Sequence, residues 1–209
     1  MLKGYYFITD SNLSRAGNIN DVKSAVTAGV KIIQYRNKDS NASEMYEEAL
    51  RLKSICKGAI FLINDRLDIA LAVNADGIHI GCDDLPYEVA RKLLGKNKII
   101  GVTVHSVREA KKAQRLGADY IGASPIFPTK TKIGAGKSTG VELIKKIKKH
   151  VSVPVVAIGG INLSNAGEVI KAGCDGLCAI SAVVTKPDVA KEIKKFQVLF
   201  LKKRNLFID

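Results

Sequence analysis

Short apolar runs, separated by segments of helical periodicity, recur along nearly the whole chain of 209 residues, and no other feature limits the fold as much. The runs fall at residues 5–9, 31–35, 59–63, 77–80, 99–104, 120–123, 153–158 and 176–180. Most lack polar alternation, as parallel strands buried on both faces do. The intervening segments place apolar residues at helical spacing, as in Met45, Ala49, Leu52 and Ile55-Cys56. A small signature closes several units: Ala28-Gly29-Val30, Asn74-Ala75-Asp76-Gly77, Gly117-Ala118-Asp119 and Ala172-Gly173-Cys174-Asp175-Gly176. It reads as a glycine just past a helix, where positive φ is needed, followed by re-entry into a strand.

About eight strand–helix units predict an α/β chain closed into a single (β/α)₈ TIM barrel, with residues 1–209 as one domain. An open doubly wound sheet has the same alternation. Against it, the first strand lacks a Gly-rich turn of the dinucleotide type, and eight similar units favour closure. The length lies near the short end for one barrel and buries roughly 70% of the unfolded surface, enough for a core without disulfides. No linker divides the chain; after Phe196 a last helix and a basic, apolar end are expected.

Composition narrows the function classes. No apolar stretch approaches the ~20 residues of a membrane span, and Asp10 interrupts the first run with no cleavage site behind it. A cytoplasmic protein is expected. Cys56, Cys82, Cys174 and Cys178 match no zinc or thioredoxin spacing, so buried thiols are expected for most, with Cys82 beside Asp83 and Asp84 the exception to watch. The net charge of +13 invites nucleic acid. Much of it lies on helical segments such as 145–149 and 191–195, without the interleaved aromatics of a strand-binding groove. No nucleic-acid or membrane partner is expected.

In such a barrel, polar residues directly after a strand point to the catalytic face. These are Gln34-Tyr35-Arg36-Asn37-Lys38-Asp39, Asn64-Asp65-Arg66, Cys82-Asp83-Asp84, Thr103 with His105, residues 124–132, Gly159-Gly160-Ile161-Asn162 and Ile180-Ser181. Arg36, Lys38, Lys130 and Lys132 offer cations to phosphate. Asp65 and Asp84 suit a shared Mg²⁺, which favours one or two carboxylates with phosphate oxygens and water. The plainer alternative makes each a helix cap, Asp65 near Arg66 and Asp84 near Pro86. Gly159-Gly160 and Ile180-Ser181 suit a phosphate held by backbone N–H groups, although a tight turn alone also needs the glycines. Residues 129–138 read as a mobile lid or as a plain exposed loop. His79 fits a satisfied core histidine, His105 a site residue or a structural one, and His150 an outer helix.

Taken in order, Gln34-Tyr35-Arg36-Asn37-Lys38, Asn64-Asp65-Arg66, residues 76–81, Asp84-Leu85-Pro86, residues 125–132 and residues 157–161 resemble the thiamine-phosphate synthase family, over nearly the whole chain. The resemblance implies an enzyme, a transferase of thiamine biosynthesis, that joins hydroxymethylpyrimidine diphosphate to a thiazole phosphate with loss of diphosphate. It implies that Gln34, Tyr35, Arg36, Asn37, Lys38, Asn64, Thr103 and Lys132 bind the pyrimidine diphosphate, with Arg36, Lys38 and Lys132 catalytic. Thr129, Lys130, Thr131, Gly160, Ile180 and Ser181 then contact the thiazole phosphate, and Asp65 and Asp84 hold one Mg²⁺. It also suggests a homodimer. Thr103 stands where the family usually has Ser, and Cys82 and Asp83 stand where Gln and Glu are more usual, so Asp83 competes with Asp84 as a ligand. Two other readings remain: a thiazole tautomerase on the same barrel, using His105 for proton transfer, and a non-catalytic binding protein.

Overall fold

The computed structural model describes residues 2–131, 134 and 136–205. In chain order the elements are β1 (Gly4–Tyr5), β2 (Phe7–Ile8), α1 (Asn18–Thr27), β3 (Ile32–Tyr35), α2 (Ala42–Ile55) and β4 (Ile60–Asn64). There follow α3 (Leu67–Ala72), β5 (Gly77–Ile80), α4 (Tyr87–Leu94), β6 (Ile99–Val104), α5 (Val107–Leu116) and β7 (Tyr120–Ala123). The last third holds α6 (Val141–Lys148), β8 (Val155–Ile158), α7 (Ala166–Lys171), β9 (Gly176–Cys178), α8 (Ser181–Val184) and α9 (Val189–Asn205).

All strand pairs are parallel, in the order β1-β9-β8-β7-β6-β5-β4-β3-β2. The first apolar run is broken at Tyr6: its first half pairs with β9 and its second half with β3. Nine strand segments therefore make an eight-fold barrel, closed through one shared strand. The last helix runs from Val189 through Asn205, and α8 is a short addition between the eighth unit and that helix. Among the described residues no helix is long and apolar enough to cross a membrane.

Side-chain alternation sorts each strand into two cores. Phe7, Ile33, Tyr35, Phe61, Ile63, Ile78, Ile100, Ile121, Val155 and Leu177 point outward and pack under the helices. Tyr6, Ile8, Ile32, Leu62, Tyr120, Val156 and Cys178 fill the barrel interior. Large side chains there need small neighbours. A Cβ on Gly101 would collide with the Tyr120 ring, and one on Gly77 with the Ile99 backbone. Gly101→Ala is expected to cost about 1–3 kcal/mol through overpacking. Urea denaturation checks this, and an unchanged midpoint would contradict it.

The repeated junction signature has two physical sources. Gly29, Gly117 and Gly173 do adopt positive φ after their helices. At the 74–77 junction the expectation fails, because Asn74 takes the left-handed turn (φ 51) and Gly77 lies inside β5. The aspartates of the signature carry the second role. Asp76, Asp119 and Asp175 each accept a backbone N–H from the preceding strand, at Phe61, Ile100 and Val155, at 2.7–2.8 Å. They pin the strands together at the end opposite the cleft. All four cysteines are free; Cys56, Cys174 and Cys178 are buried and Cys82 is exposed.

Candidate active site

The strands' C-terminal ends open into a cleft. It is lined by Gln34, Arg36, Lys38, Asn64, Asp65, Thr103, Thr129, Thr131, Gly160, Ile180 and Ser181, together with Ile8, His79, Gly81, Ser124 and Cys178. Strand alternation decides which residues arrive there. Gln34, Asn64, His79 and Thr103 share the inward face of their strands with Ile32, Leu62 and Tyr120.

Arg36 is fixed before any ligand binds. Its guanidinium Nη1 donates to Asp10 Oδ2 at 2.9 Å, and Asp10 is buried. The Arg36 backbone N–H donates to Thr9 Oγ1 at 2.8 Å, and the Thr9 hydroxyl donates to the Arg36 carbonyl at 3.1 Å. Lys38 Nζ pairs with the Asp65 carboxylate, to whose other oxygen Asn64 Nδ2 donates at 2.7 Å. Asp65 sits at φ 59, in the left-handed region that non-glycine residues seldom adopt.

Neither carboxylate is a helix cap. The residue before α3 is Arg66 and the one before α4 is Pro86, and neither helix start has a side-chain cap. Asp84 accepts from Gly81 N–H at 2.6 Å and lines a neighbouring pocket with Gly81, Cys82 and Leu85, close enough to Asp65 for the two carboxyls to interact. Burial, and then the facing Asp65 carboxyl, raise the Asp84 carboxyl above its ordinary value. Asp83 beside it is exposed.

Some expected residues lie elsewhere. Tyr35 alternates away from Gln34, is fully buried on the outer face, and donates its hydroxyl to Glu48 at 2.6 Å. Asn37 bonds Tyr35 and Ser40 and organises its loop. Neither is among the residues that line the cleft, and their place beside the pyrimidine diphosphate rests on the family resemblance. Lys130 borders an adjoining pocket with Asn162, Ser164 and Lys186. Lys132 lies outside the described residues. His105 Nδ1 is 2.5 Å from the Ser124 carbonyl and is not among the cleft residues. His150 Nδ1 is 2.8 Å from the Lys146 carbonyl on the surface.

Across the cleft, the turn after β8 requires its glycines. Gly159 and Gly160 have φ 101 and 62, and Phe127 N–H donates to the Gly159 carbonyl at 3.0 Å. A Cβ on Gly160 would stand 2.8 Å from Phe127 Cβ and crowd the Pro128 carbonyl. Gly160→Ala is expected to displace Phe127 and Pro128 and reduce coupling at least tenfold. Steady-state kinetics read this, and a variant with unaltered kcat/KM would contradict it. Ser181 opens α8 on the same rim, where barrels of this type often bind phosphate between the last two units and a short extra helix.

Ser124, among the residues expected after the sixth strand, does line the cleft, whereas the sequence alone points neither to Asp10 as the partner of Arg36 nor to the cleft position of His79. Asp10 directly follows the first apolar run, and the rule that polar residues after strands face the site would have selected it.

A family profile described as Thiamine monophosphate synthase matches residues 5–183. The thiamine-phosphate synthase of Methanosarcina barkeri is 55% identical over 193 residues, covering 92% of this chain and 88% of that protein. That of Methanospirillum hungatei is 49% identical over 201 residues, covering 95% and 98%. The solved thiamine phosphate pyrophosphorylase of Pyrococcus furiosus superposes with a TM-score of 0.87 at 41% identity, covering 95% of this chain and 96% of that one.

Proposed function

The chain belongs to the thiamine monophosphate synthase family, and from that premise we propose how its residues divide the work. The protein is a transferase that joins hydroxymethylpyrimidine diphosphate to hydroxyethylthiazole phosphate and releases diphosphate. We read the whole chain as one barrel domain acting on small phosphorylated substrates.

The observation that carries the assignment of roles is the meeting of Arg36, Lys38, Asn64 and Asp65 on one rim, with Asp84 beside Asp65 at the neighbouring pocket, facing Thr129, Thr131, Gly160, Ile180 and Ser181 on the other. The first rim takes the pyrimidine diphosphate, with Gln34 and Thr103 below it. The second takes the thiazole phosphate, and Lys130 borders it from the adjoining pocket. Lys132 joins the diphosphate set on the strength of the family resemblance.

Asp65 and Asp84 fit one Mg²⁺. Two hard carboxylates, one of them raised by burial and then by the other, are relieved by a divalent cation, and among the described residues no third acidic or histidine ligand joins them. That leaves positions for diphosphate oxygens and water, as Mg²⁺ prefers. When bound, the ion supplies charge neutralisation to the departing diphosphate.

The chain's own residues do the rest. Arg36, held by Asp10, presents its fork to the diphosphate, and Lys38 turns from Asp65 to the same anion. As the C–O bond breaks, the electron pair leaves with the diphosphate. The pyrimidine amino group stabilises the cation left on the exocyclic carbon, and the thiazole nitrogen adds to it. No protein nucleophile is required: Cys178, the thiol in the cleft, is pushed up by burial and stays protonated. Positioning and electrostatics account for the catalysis.

The test against a tautomerase is to supply both coupling substrates in one assay and the carboxylated thiazole phosphate precursor in another. Coupling with no isomerisation is the expected result. Isomerisation without coupling would transfer the assignment to the tautomerase.

A further inference from the structure

Beneath the cleft a continuous chain of hydrogen bonds crosses the barrel interior. Gln34 Nε2 donates to the Tyr6 hydroxyl at 2.6 Å, and the Tyr6 and Tyr120 hydroxyls are 2.7 Å apart. The Tyr120 hydroxyl is 2.8 Å from His79 Nδ1, and His79 Nε2 is 2.8 Å from Thr103 Oγ1. Both ends, Gln34 on β3 and Thr103 on β6, line the cleft. The barrel is hollowed to accommodate the chain. Gly101 leaves room for the Tyr120 ring, and a Cβ on Gly122 would press on His79 Cε1 at 3.0 Å. Burial raises both phenols above their ordinary value, so each keeps its proton.

One proton per hydroxyl makes the chain directional. With the Gln34 amide donating to Tyr6, the Tyr6 proton passes to Tyr120 and the Tyr120 proton to His79 Nδ1. His79 then carries its own proton on Nε2 and donates to Thr103. The Thr103 hydroxyl proton and Gln34 Oε1 are left to face the cleft. The opposite sense along the whole chain, with the Gln34 amide turned so that Oε1 accepts from Tyr6, gives Gln34 as donor and Thr103 as acceptor.

We propose that Tyr6, Tyr120 and His79 are positioning residues that fix the donor–acceptor pattern with which Gln34 and Thr103 read the pyrimidine ring. This rests on the synthase reading and adds the source of its ring specificity. An aminopyrimidine offers an amino donor and ring nitrogens that only accept, which matches an accepting Gln34 and a donating Thr103. The corresponding oxopyrimidine offers a carbonyl acceptor and a ring N–H donor, the inverse pattern. A site built on paired hydrogen bonds rejects a ring that leaves them unpaired.

The experiment combines ¹⁵N-histidine NMR of the free protein with the Tyr120→Phe variant. His79 is expected as the Nε2–H tautomer in the unaltered protein; the Nδ1–H tautomer would overturn the proposal. Tyr120→Phe keeps the ring and removes one link. It is expected to shift the His79 nitrogen resonances and raise KM for the pyrimidine diphosphate about tenfold, with KM for the thiazole phosphate near its original value. Its preference for the amino over the oxo diphosphate, measured by competitive inhibition, should shrink. Unchanged pyrimidine KM and unchanged preference in a folded variant would also overturn the proposal. If that variant does not fold, Tyr6→Phe interrupts the same chain one link earlier and is judged by the same criteria. Failure of the unaltered protein to couple its substrates would count against the synthase reading instead, because the tautomer is read without substrate.

Discussion

Arg36→Ala is expected to lower kcat/KM for coupling by about two to three orders of magnitude, the usual effect of losing one donor aimed at developing negative charge. Among the described residues, the guanidinium is the one cation on the diphosphate rim already held by a buried partner, Asp10, at 2.9 Å. The substitution therefore has a second consequence. It leaves the Asp10 carboxylate buried without its ion-pair partner, a change of the kind that costs about 3–5 kcal/mol. Two companion variants separate the effects. Arg36→Lys keeps a charge but not the fork, and should recover part of the rate. Asp10→Asn keeps the guanidinium but loosens its aim, so kcat should fall while the fold is retained. Steady-state kinetics with a thermal melt of each variant measure both effects. An Arg36→Ala enzyme with near-original kcat/KM would remove the role given to this residue.

The second large effect is expected at the carboxylate pair. Asp84→Asn should reduce coupling more than about a hundredfold at fixed Mg²⁺, since even residues outside a metal's own ligands cost 10–100-fold. Stability should respond differently. The Asp84 carboxyl is raised by burial first and by the facing Asp65 carboxyl second, so removing its charge relieves a repulsion. In chelator the variant should melt no lower than the original protein, whereas the gain in melting temperature on adding Mg²⁺ should disappear. Loss of stability in chelator together with an intact Mg²⁺ response would mean that Asp84 is structural and not a ligand.

Much of the fold could be read from the sequence because both of its governing patterns are local. Each apolar run matches an observed strand to within two residues, since a strand buried on both faces needs uninterrupted apolar side chains whatever surrounds it. The split of the first run at Tyr6 is not a local property; it follows from closure, which makes one stretch serve two neighbours. The candidate site was legible for the same reason, through the polar residues that follow each strand. Tyr35 and Asn37 show the limit of that rule. They flank Arg36 in sequence, but alternation turns Tyr35 outward to Glu48, and Asn37 is occupied by the loop it holds. The interior chain from Gln34 to Thr103 could not be read at all. Its members come from β3, the Tyr6 break, β5, β6 and β7, and only barrel closure brings them within 2.6–2.8 Å of one another.

Supplying hydroxymethylpyrimidine diphosphate and hydroxyethylthiazole phosphate to the purified protein, and quantifying thiamine phosphate and diphosphate with Mg²⁺ and with chelator, tests the account most directly. Equimolar formation of the two products with Mg²⁺, and none with chelator, is the predicted result. A folded protein that forms neither product with Mg²⁺, or forms both equally well in chelator, would contradict it.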